Sequence, residues 1–571
     1  MSLLRTRKIN LLLVAVLSVA GLLGAASSVW GAVWWQTTQL TANSFHESAP
    51  QISGTNIVWE GFSGPAATRE IYLFNGSTTA ALTANAFDDD YPQISGNNAV
   101  WRGAGGPAGT TEIYFYNGST VTTLTANTFN DYIPQISGNN AVWYGYGGPS
   151  STLEIYFYNG SAVTTLTANT FDDYQPQISG NKVAWYGGGG PSGTTEIYFY
   201  NGSTVTTLTA NAFSDVEPQI SGNNVVWDGV GGPSSTREIY FYNGSTVTTL
   251  TANTFNDYAP QISGNNVVWE GAGGSGGTSE IYFYNGSTVT RLTANSFDDH
   301  YPQISGNNVV WQGAGGPGGT NEIYFYNGST TAALTANSFN EYNPQISGSN
   351  VAWSGYGGPG TSDEIFMARI DQVPPIDPFV TGSTPAKNTW TNDNTILVNF
   401  IGATDAMSGV DGFSVEWSGS PTSVPDAVKD LEESAGSAAS PAQPDGDRWF
   451  HLRTVDNGGN WTSTIHYGPF KIDTTKPTAS VRAPAKVSAS GSTARFRVRW
   501  SGADTGSGVK NYDVHYKIGK RGAWKRWKTG VSSLRARFTA RTGKTYYFRA
   551  RAKDKAGNTG RWSRPRRTVV Q

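Results

Sequence analysis

A unit of 42 residues, met eight times within residues 40–366, constrains this chain more than any other feature. One copy reads L-T-A-N-x-F-x-D-x-x-P-Q-I-S-G-N-N-V-V-W-x-G-x-G-G-P, then a few small polar residues, then E-I-Y-F-Y-N-G-S-T-V-T-T. The prolines that open P-Q-I-S-G stand at Pro50, Pro92, Pro134, Pro176, Pro218, Pro260, Pro302 and Pro344, always 42 apart. A repeat of this length with no helical periodicity implies short strands stacked as blades or coils. The apolar runs Q-I-S, N-V-V-W, E-I-Y-F-Y and T-V-T-T-L-T are rich in β-branched and aromatic residues, and turn-formers separate them. Four such strands make one propeller blade. Asn-Gly pairs beginning at Asn75, Asn117, Asn159, Asn201, Asn243, Asn285 and Asn327 supply the two positive-φ positions of a type I′ hairpin.

Seven hairpins serve eight units. The last unit stops at E-I-F-M-A-R-I-D, residues 364–371, and lacks its outermost strand, while residues 33–41, V-W-W-Q-T-T-Q-L-T, precede the first unit as a spare. Pairing that spare with the last blade closes a ring and removes exposed strand edges. The expected fold is therefore all-β: an eight-bladed β-propeller over residues 33–371, with an open β-solenoid as the alternative.

Charge is divided unevenly. From Lys476 to the end there are 25 Lys and Arg against three acids, Asp504, Asp513 and Asp554, whereas residues 9–475 hold 11 bases and 39 acids. No cysteine is present, so disulfide and thiol chemistry are excluded. Arg5, Arg7 and Lys8 precede an apolar run over residues 11–26 and then small residues, the order of a secretory signal. Residues 1–32 are expected to be that signal, cut between 26 and 32, giving a secreted or cell-surface protein.

Three sets of recurring positions are candidate site residues. The first is the Trp of each N-V-V-W, at Trp59, Trp101, Trp143, Trp185, Trp227, Trp269, Trp311 and Trp353. An alternating strand pattern favours packing between blades over sugar stacking for these. The second is a carboxylate two residues after the Phe of L-T-A-N-x-F: Glu47, Asp89, Asp131, Asp173, Asp215, Asp257, Asp299 and Glu341. Such a ring can take up calcium or a cationic partner, or can tie its own turn; its constancy favours the structural use. The third set varies between copies. After each Trp stand Glu60, Arg102, Tyr144, Tyr186, Asp228, Glu270, Gln312 and Ser354, the candidate ligand-binding positions. The pair before each Pro also varies, as Asp90 with Tyr91 or His300 with Tyr301, and so does the residue before each E-I-Y, as Arg69 or Arg237. Positions that differ on a constant scaffold are where an asymmetric ligand is read, with drift of exposed positions as the alternative.

The units resemble the β-propeller repeats of the TolB-like and WD40-like class found in exported bacterial and archaeal surface proteins. Asp-x-x-Pro-Gln-Ile-Ser-Gly stands in the place of that class's Asp-x-x-Pro-x-Trp-Ser signature. The chain departs from the class in having Ile where an aromatic is frequent, and eight units where the TolB type has six. The resemblance implies a propeller that binds protein or glycan at the cell envelope, and it supplies no catalytic residues.

A proline-rich link over residues 372–385 leads to two modules that echo one another, residues 386–473 and 474–571. Each carries alternating strand patterns over about a hundred residues, the mark of a β-sandwich. They resemble bacterial fibronectin type III or Ig-like domains. In the first, residues 418–447 read as a mobile low-complexity loop. In the second, Lys517, Lys520, Arg521, Lys525, Arg526 and Lys528 flank Trp524 and Trp527, and this basic cluster is expected to bind a polyanion such as a cell-wall polymer or acidic polysaccharide. Contact with the acidic ring is the other use of that charge. Asp405 with Asp456, and Asp504 with Asp554, hint at calcium but fit turn capping better, so no cofactor is expected beyond that calcium. The five histidines share no metal-ligand spacing, and the G-x-S-x-G match at residues 273–277 lacks the strand and helix a nucleophile elbow needs. The expected function is non-enzymatic: a binding or scaffold protein whose partners are an envelope protein or glycan and an anionic polymer, with no intracellular nucleic acid. A polysaccharide-degrading enzyme using Asp88, Asp89 and Asp90 is the rival.

Overall fold

The computed structural model describes residues 35–64, 67–357 and 362–571; the leader expected over residues 1–32 lies outside them. Among the described residues, eight four-stranded antiparallel sheets come first, followed by two pairs of sheets built from three and five strands. The second blade is representative, with strands Asp89–Ser95, Asn98–Gly103, Glu112–Tyr116 and Val121–Thr123 from the centre of the ring outward. First strands of adjacent blades neighbour one another all the way round, including the first and eighth, so they line the central channel. The short fourth strand is exposed along its length because nothing covers the rim.

The ring closes as the spare strand requires. Strand Trp35–Gln39 pairs antiparallel with Asp363–Ile370, in register from Trp35 opposite Ile370 to Gln39 opposite Phe366. The solenoid alternative is thereby excluded. A second closure lies in the S-G-N-N turns. Each Ser Oγ accepts the backbone N–H of the next blade's turn glycine at 2.8–2.9 Å, and the eighth contact, from Gly54 to Ser347, joins the first blade to the last.

Packing between blades follows from the alternation in N-V-V-W. All eight tryptophans are 0–1 % exposed. Trp143 packs with Ala141 against Val100, Ile113 and Phe115 of the preceding blade. Within its own blade Trp143 stacks on Tyr156, which stacks in turn on Phe129 of the L-T-A-N-T-F loop, with ring centroids about 6 Å apart in both contacts. Removing roughly 200 Å² of aromatic surface from water contributes at most about 5 kcal/mol per ring, and every interface repeats it.

The two terminal modules share one topology. The first has sheets containing Phe379–Thr384, Leu397–Ile401 and Ser437–Ala439 in one layer and Val410–Ser418, Gly446–Asp456 and Ile465–Ile472 in the other, and the second repeats the same strand order. Each pair of sheets encloses its own apolar core, as a β-sandwich does. Two expectations are corrected here. The link over residues 372–385 contains strand Phe379–Thr384, which pairs with Leu397–Ile401, so the first sandwich begins before residue 386. Within residues 418–447, Leu431–Glu432 pairs with Val410–Ser418 and Ser437–Ala439 with Leu397–Ile401, so the expected open loop is tied into both sheets at these two points.

A chain beginning after Gln39 should leave Asp363–Ile370 as a bare edge. Calorimetry is expected to give a melting midpoint lower by at least about 5 °C, and sedimentation a concentration-dependent association. A monomer with an unchanged midpoint would contradict closure by this strand.

Candidate functional site

Two rings of acids are buried in the propeller, and they are structural. Each carboxylate of the set from Glu47 to Glu341 accepts the indole N–H of its own blade's tryptophan at 2.7–3.2 Å. In seven blades the side-chain amide of the loop Asn four residues earlier donates a second bond at 2.5–2.8 Å. The backbone N–H of the same residue reaches back to the previous blade, as from Asp89 to the Arg69 carbonyl at 2.9 Å. These acids are at most 3 % exposed and so form no open collar. The close fit sets the W-x-G glycine: a Cβ on Gly103 would lie 2.3 Å from Asp89 Oδ1.

The second ring, Glu70, Glu112, Glu154, Glu196, Glu238, Glu280, Glu322 and Glu364, is at most 1 % exposed and was missed by sequence reasoning. Its signal was present, since an unvarying acid opens every E-I-Y strand. These glutamates tie down the L-T-A-N loop; Glu70, for example, accepts the Asn85 N–H at 3.1 Å. Burial, as the largest cause, pushes Asp89, Asp131 and Asp173 up to about 7 and Asp215, Asp257 and Asp299 up to about 6, with the neighbouring ring of glutamates adding to the rise.

The two faces of the ring differ. One carries the N-G-S turns and the S-G-N-N turns, which depart from that pattern only at Thr55, Lys182 and Ser349, and the chain leaves there, with Gln372 donating to Asn308 at 3.2 Å. On the other, every first strand bulges just before its proline. The bulge residues Ala49, Tyr91, Ile133, Gln175, Glu217, Ala259, Tyr301 and Asn343 all have positive φ, from 38° to 55°. Non-glycine residues are held there only when the surrounding pairing over-determines them, and such strain gathers at sites that re-aim side chains.

The structure divides the residues that follow each tryptophan. Glu60, Asp228, Glu270, Gln312 and Ser354 are buried, while Arg102, Tyr144 and Tyr186 are half-buried. The buried ones support the rim from below. Glu60 accepts the Tyr91 N–H at 2.7 Å, and Glu270 accepts the Tyr301 N–H at 2.5 Å and binds His300 Nδ1 at 2.9 Å. Tyr91 and Tyr301 therefore stand out, 44 % and 57 % exposed.

Three sectors result. Across the first two blades Asp90 receives Arg102 in a two-pronged contact at 2.7 and 2.5 Å and Arg69 at 2.8 Å. Asp88 accepts the Arg69 N–H, and Asp89 holds Trp101, so the three acids of the enzymatic reading serve three separate structural contacts. Over the third and fourth blades runs an unbroken tyrosine track. Tyr132 stacks on Tyr144 and Tyr174 on Tyr186, each at 5.4 Å, and Tyr144 meets Tyr174 edge-on at 6.2 Å. Arg102 caps the track, its guanidinium 4.8 Å from Tyr91 and 6.0 Å from Tyr132. Beyond it lies a cleft of about 590 Å³ lined by Glu217, Arg237, Tyr258, Glu270, His300 and Tyr301. Asp228 lies buried under it against Arg237.

The last module bears two basic surfaces. Of the cluster named from sequence, Lys520, Arg521, Lys525 and Arg526 are exposed, while Lys517 and Lys528 lie partly buried over aromatic rings. Lys517, Trp524, Arg549, Trp562 and Arg551 form a ladder of cation and ring with spacings of 4.1–5.1 Å. The other surface is the outer face of the three-stranded sheet. Exposed Arg497 stands directly opposite Arg537, and Arg499 opposite both Arg535 and Arg482. Like charges set face to face destabilise a sheet, and none of these five arginines has a carboxylate partner among the described residues. Sequence reasoning missed this face, although A-R-F-R-V-R-W places arginine at every second residue.

No protein-family model and no curated protein matches the chain. Solved structures similar to the ring include the β-propeller domain of the Trilobed protease from Pyrococcus furiosus, at 13% identity over 52% of this chain and 99% of that one, TM-score 0.39. TolB from Acinetobacter baumannii is similar at 13% identity over 59% of this chain and 80% of that one, TM-score 0.28. Fibronectin(III)-like modules of Clostridium thermocellum CbhA are similar at 14% identity over 34% and 94%, TM-score 0.20. Acylaminoacyl peptidase of Pyrococcus horikoshii is matched over 55% of this chain at 11% identity, TM-score 0.37, and the chain spans 58% of its length.

The raised acids give the ring a pH dependence. Unfolded, these aspartates return to about 3.8, so between that value and 6–7 the folded ring holds protons that the unfolded chain has released. Their contribution is complete at low pH and is lost as pH rises through 6–7. Calorimetry should show the ring's melting midpoint falling by several degrees between pH 5.5 and 8; a midpoint that climbs across this window would contradict the assignment.

Proposed function

We propose that this chain is a non-enzymatic binding protein of the cell envelope, in which the propeller mouth holds a glycan and the last module grips an anionic polymer. The observation that carries the reading is the tyrosine track beside a carboxylate-lined cleft, on the face where the eight copies differ most. Tyrosine rings offer flat apolar faces with a polar edge, suited to the C–H faces of sugar rings. Exposed Glu217 and half-buried His300 beside them supply an acceptor and a donor for hydroxyls. A large pocket with a few convergent polar groups is the usual form of a ligand site. Attachment through the turn face leaves this mouth clear of the first sandwich at their hydrogen-bonded contact.

The arginine face supports the second half of the reading. Guanidinium groups pair bidentately with phosphate, sulfate or carboxylate, and a sheet face that repels itself is relieved when a polyanion lies across it. The secretory order of the leader fits an exported protein of this kind.

A glycan array probed with the isolated ring, followed by calorimetry on the best ligand, tests the mouth. Tyr144→Ala and Tyr186→Ala should each weaken binding at least about tenfold, near 1.4 kcal/mol; both rings also pack on the cores between blades, so binding is measured well below each variant's own melting midpoint. A ring that captures envelope proteins and no glycan would instead establish a protein ligand.

The anchoring half has its own readout. Removing residues 476–571, or making the pair Arg497→Glu and Arg537→Glu, should abolish or strongly reduce salt-sensitive retention on purified cell walls. Retention that is the same with and without the last module would refute it.

A further inference from the structure

The joint between the two sandwiches carries three acids whose chemistry the binding reading does not use. Asp473 follows the first sandwich's last strand, Ile465–Ile472, Asp504 follows strand Thr493–Ala503, and Asp554 closes strand Thr545–Asp554. Each offers a carboxylate oxygen to one point, and these oxygens all lie within 4.8 Å of one another. Asp473 and Asp554 are fully buried. No lysine, arginine or histidine is ion-paired with any of the three among the described residues.

Gathering three carboxylates out of water is unfavourable unless something positive joins them. Their hydrogen bonds leave room for it. Asp554 Oδ1 accepts the N–H groups of Gly557 and Asn558, both at 2.7 Å, and Asp504 Oδ2 accepts that of Gly508 at 2.6 Å. The other oxygen of each, Asp554 Oδ2 and Asp504 Oδ1, is buried and has no donor at all. Buried carboxylate oxygens are rarely left so, and two of them within one acidic cluster point to a cation.

We propose that Asp473, Asp504 and Asp554 bind a divalent calcium-class cation that clamps the joining segment to the second sandwich. Hard carboxylate oxygens select calcium or magnesium over softer metals. Three oxygens within 4.8 Å of one another fit inside one calcium sphere, where trans oxygens lie about 4.6–5.2 Å apart, and calcium tolerates irregular geometry where magnesium requires a strict octahedron. The strands that contribute Asp473 belong to one module and those of Asp504 and Asp554 to the next, so the ion would fix their relative setting.

The equivalent joint after the ring provides the contrast. Asp371, Asp405 and Asp456 repeat the cluster there. Asp371 takes the N–H groups of Val373 and Ser408 as Asp473 takes those of Thr475 and Ser507, but in the first triad Asn460 Nδ2 also donates to Asp456 Oδ2 at 3.0 Å. In the second joint the matching Asn558 amide turns to the Asp473 carbonyl at 2.6 Å and leaves Asp554 Oδ2 free.

Calcium chloride titrated by calorimetry into the full chain, stripped with chelator and exchanged into chelator-free buffer, tests the proposal. The native chain should bind calcium, and magnesium at least tenfold more weakly. Asp504→Asn and Asp554→Asn should each remove one site from the stoichiometry or weaken it at least tenfold. Asp504→Asn keeps an oxygen for the Gly508 N–H, so it decides the matter if Asp554→Asn loses its β-sheet circular dichroism. No calcium binding by the native chain, or an isotherm unchanged in Asp504→Asn, would overturn the assignment.

Discussion

Burying an indole between blades creates an N–H that water cannot reach, and the whole ring is arranged around satisfying it. Leaving such a donor unpaired costs roughly 1–3 kcal/mol, and here the debt would recur eight times. The carboxylate two residues past the loop phenylalanine meets the demand at every interface, from Trp59 with Glu47 to Trp353 with Glu341. That choice then dictates neighbours. The loop asparagine must reach the carboxylate's second oxygen, the W-x-G glycine must lack a side chain, and the backbone of the acid must join the preceding blade. A constant 42-residue unit follows from this chain of dependencies, since an insertion anywhere would break one of its contacts.

The same arrangement gives the ring's acidity a structural meaning. Sixteen of its carboxylates sit buried in two concentric sets rather than on the surface. The strongly negative composition therefore describes the interior as much as the field outside. The surface that does vary is small and lies at one mouth, where the bulges lift tyrosines over buried acids that hold them from below. On the proposed binding reading, specificity would rest on exposed Tyr91 and Tyr301 and on Glu60 and Glu270 beneath them, which decide where that first pair points.

At the other end of the molecule the electrostatics are reversed. The arginine face of the last sandwich holds like charges opposite one another on paired strands, which an isolated domain gains nothing by keeping. The ladder of Trp524 and Trp562 between cations fixes Lys517, Arg549 and Arg551 instead of leaving them to move in solvent. Both features fit the anionic partner proposed for this module.

Repetition made much of this legible. The period, the Asn-Gly hairpins and the spare strand before the first unit determined eight blades and their closure, because local turn chemistry and strand count leave few other solutions. The alternation in N-V-V-W likewise determined that the tryptophans face inward. Only the tertiary structure decided the rest. A carboxylate beside a strand reads alike whether it faces solvent or an indole, so the burial of both acid rings came from the stacking of blades. The residues after each tryptophan varied as ligand contacts do, yet Glu60 and Asp228 lie beneath the rim, since variation records a change of surroundings and not exposure. Strand Phe379–Thr384 hid in a proline-rich stretch because an edge strand needs little of its own pattern. The approach of Asp473 to Asp504 and Asp554 depends on how one domain meets the next, and a contact between segments distant along the chain leaves no periodic trace in the sequence.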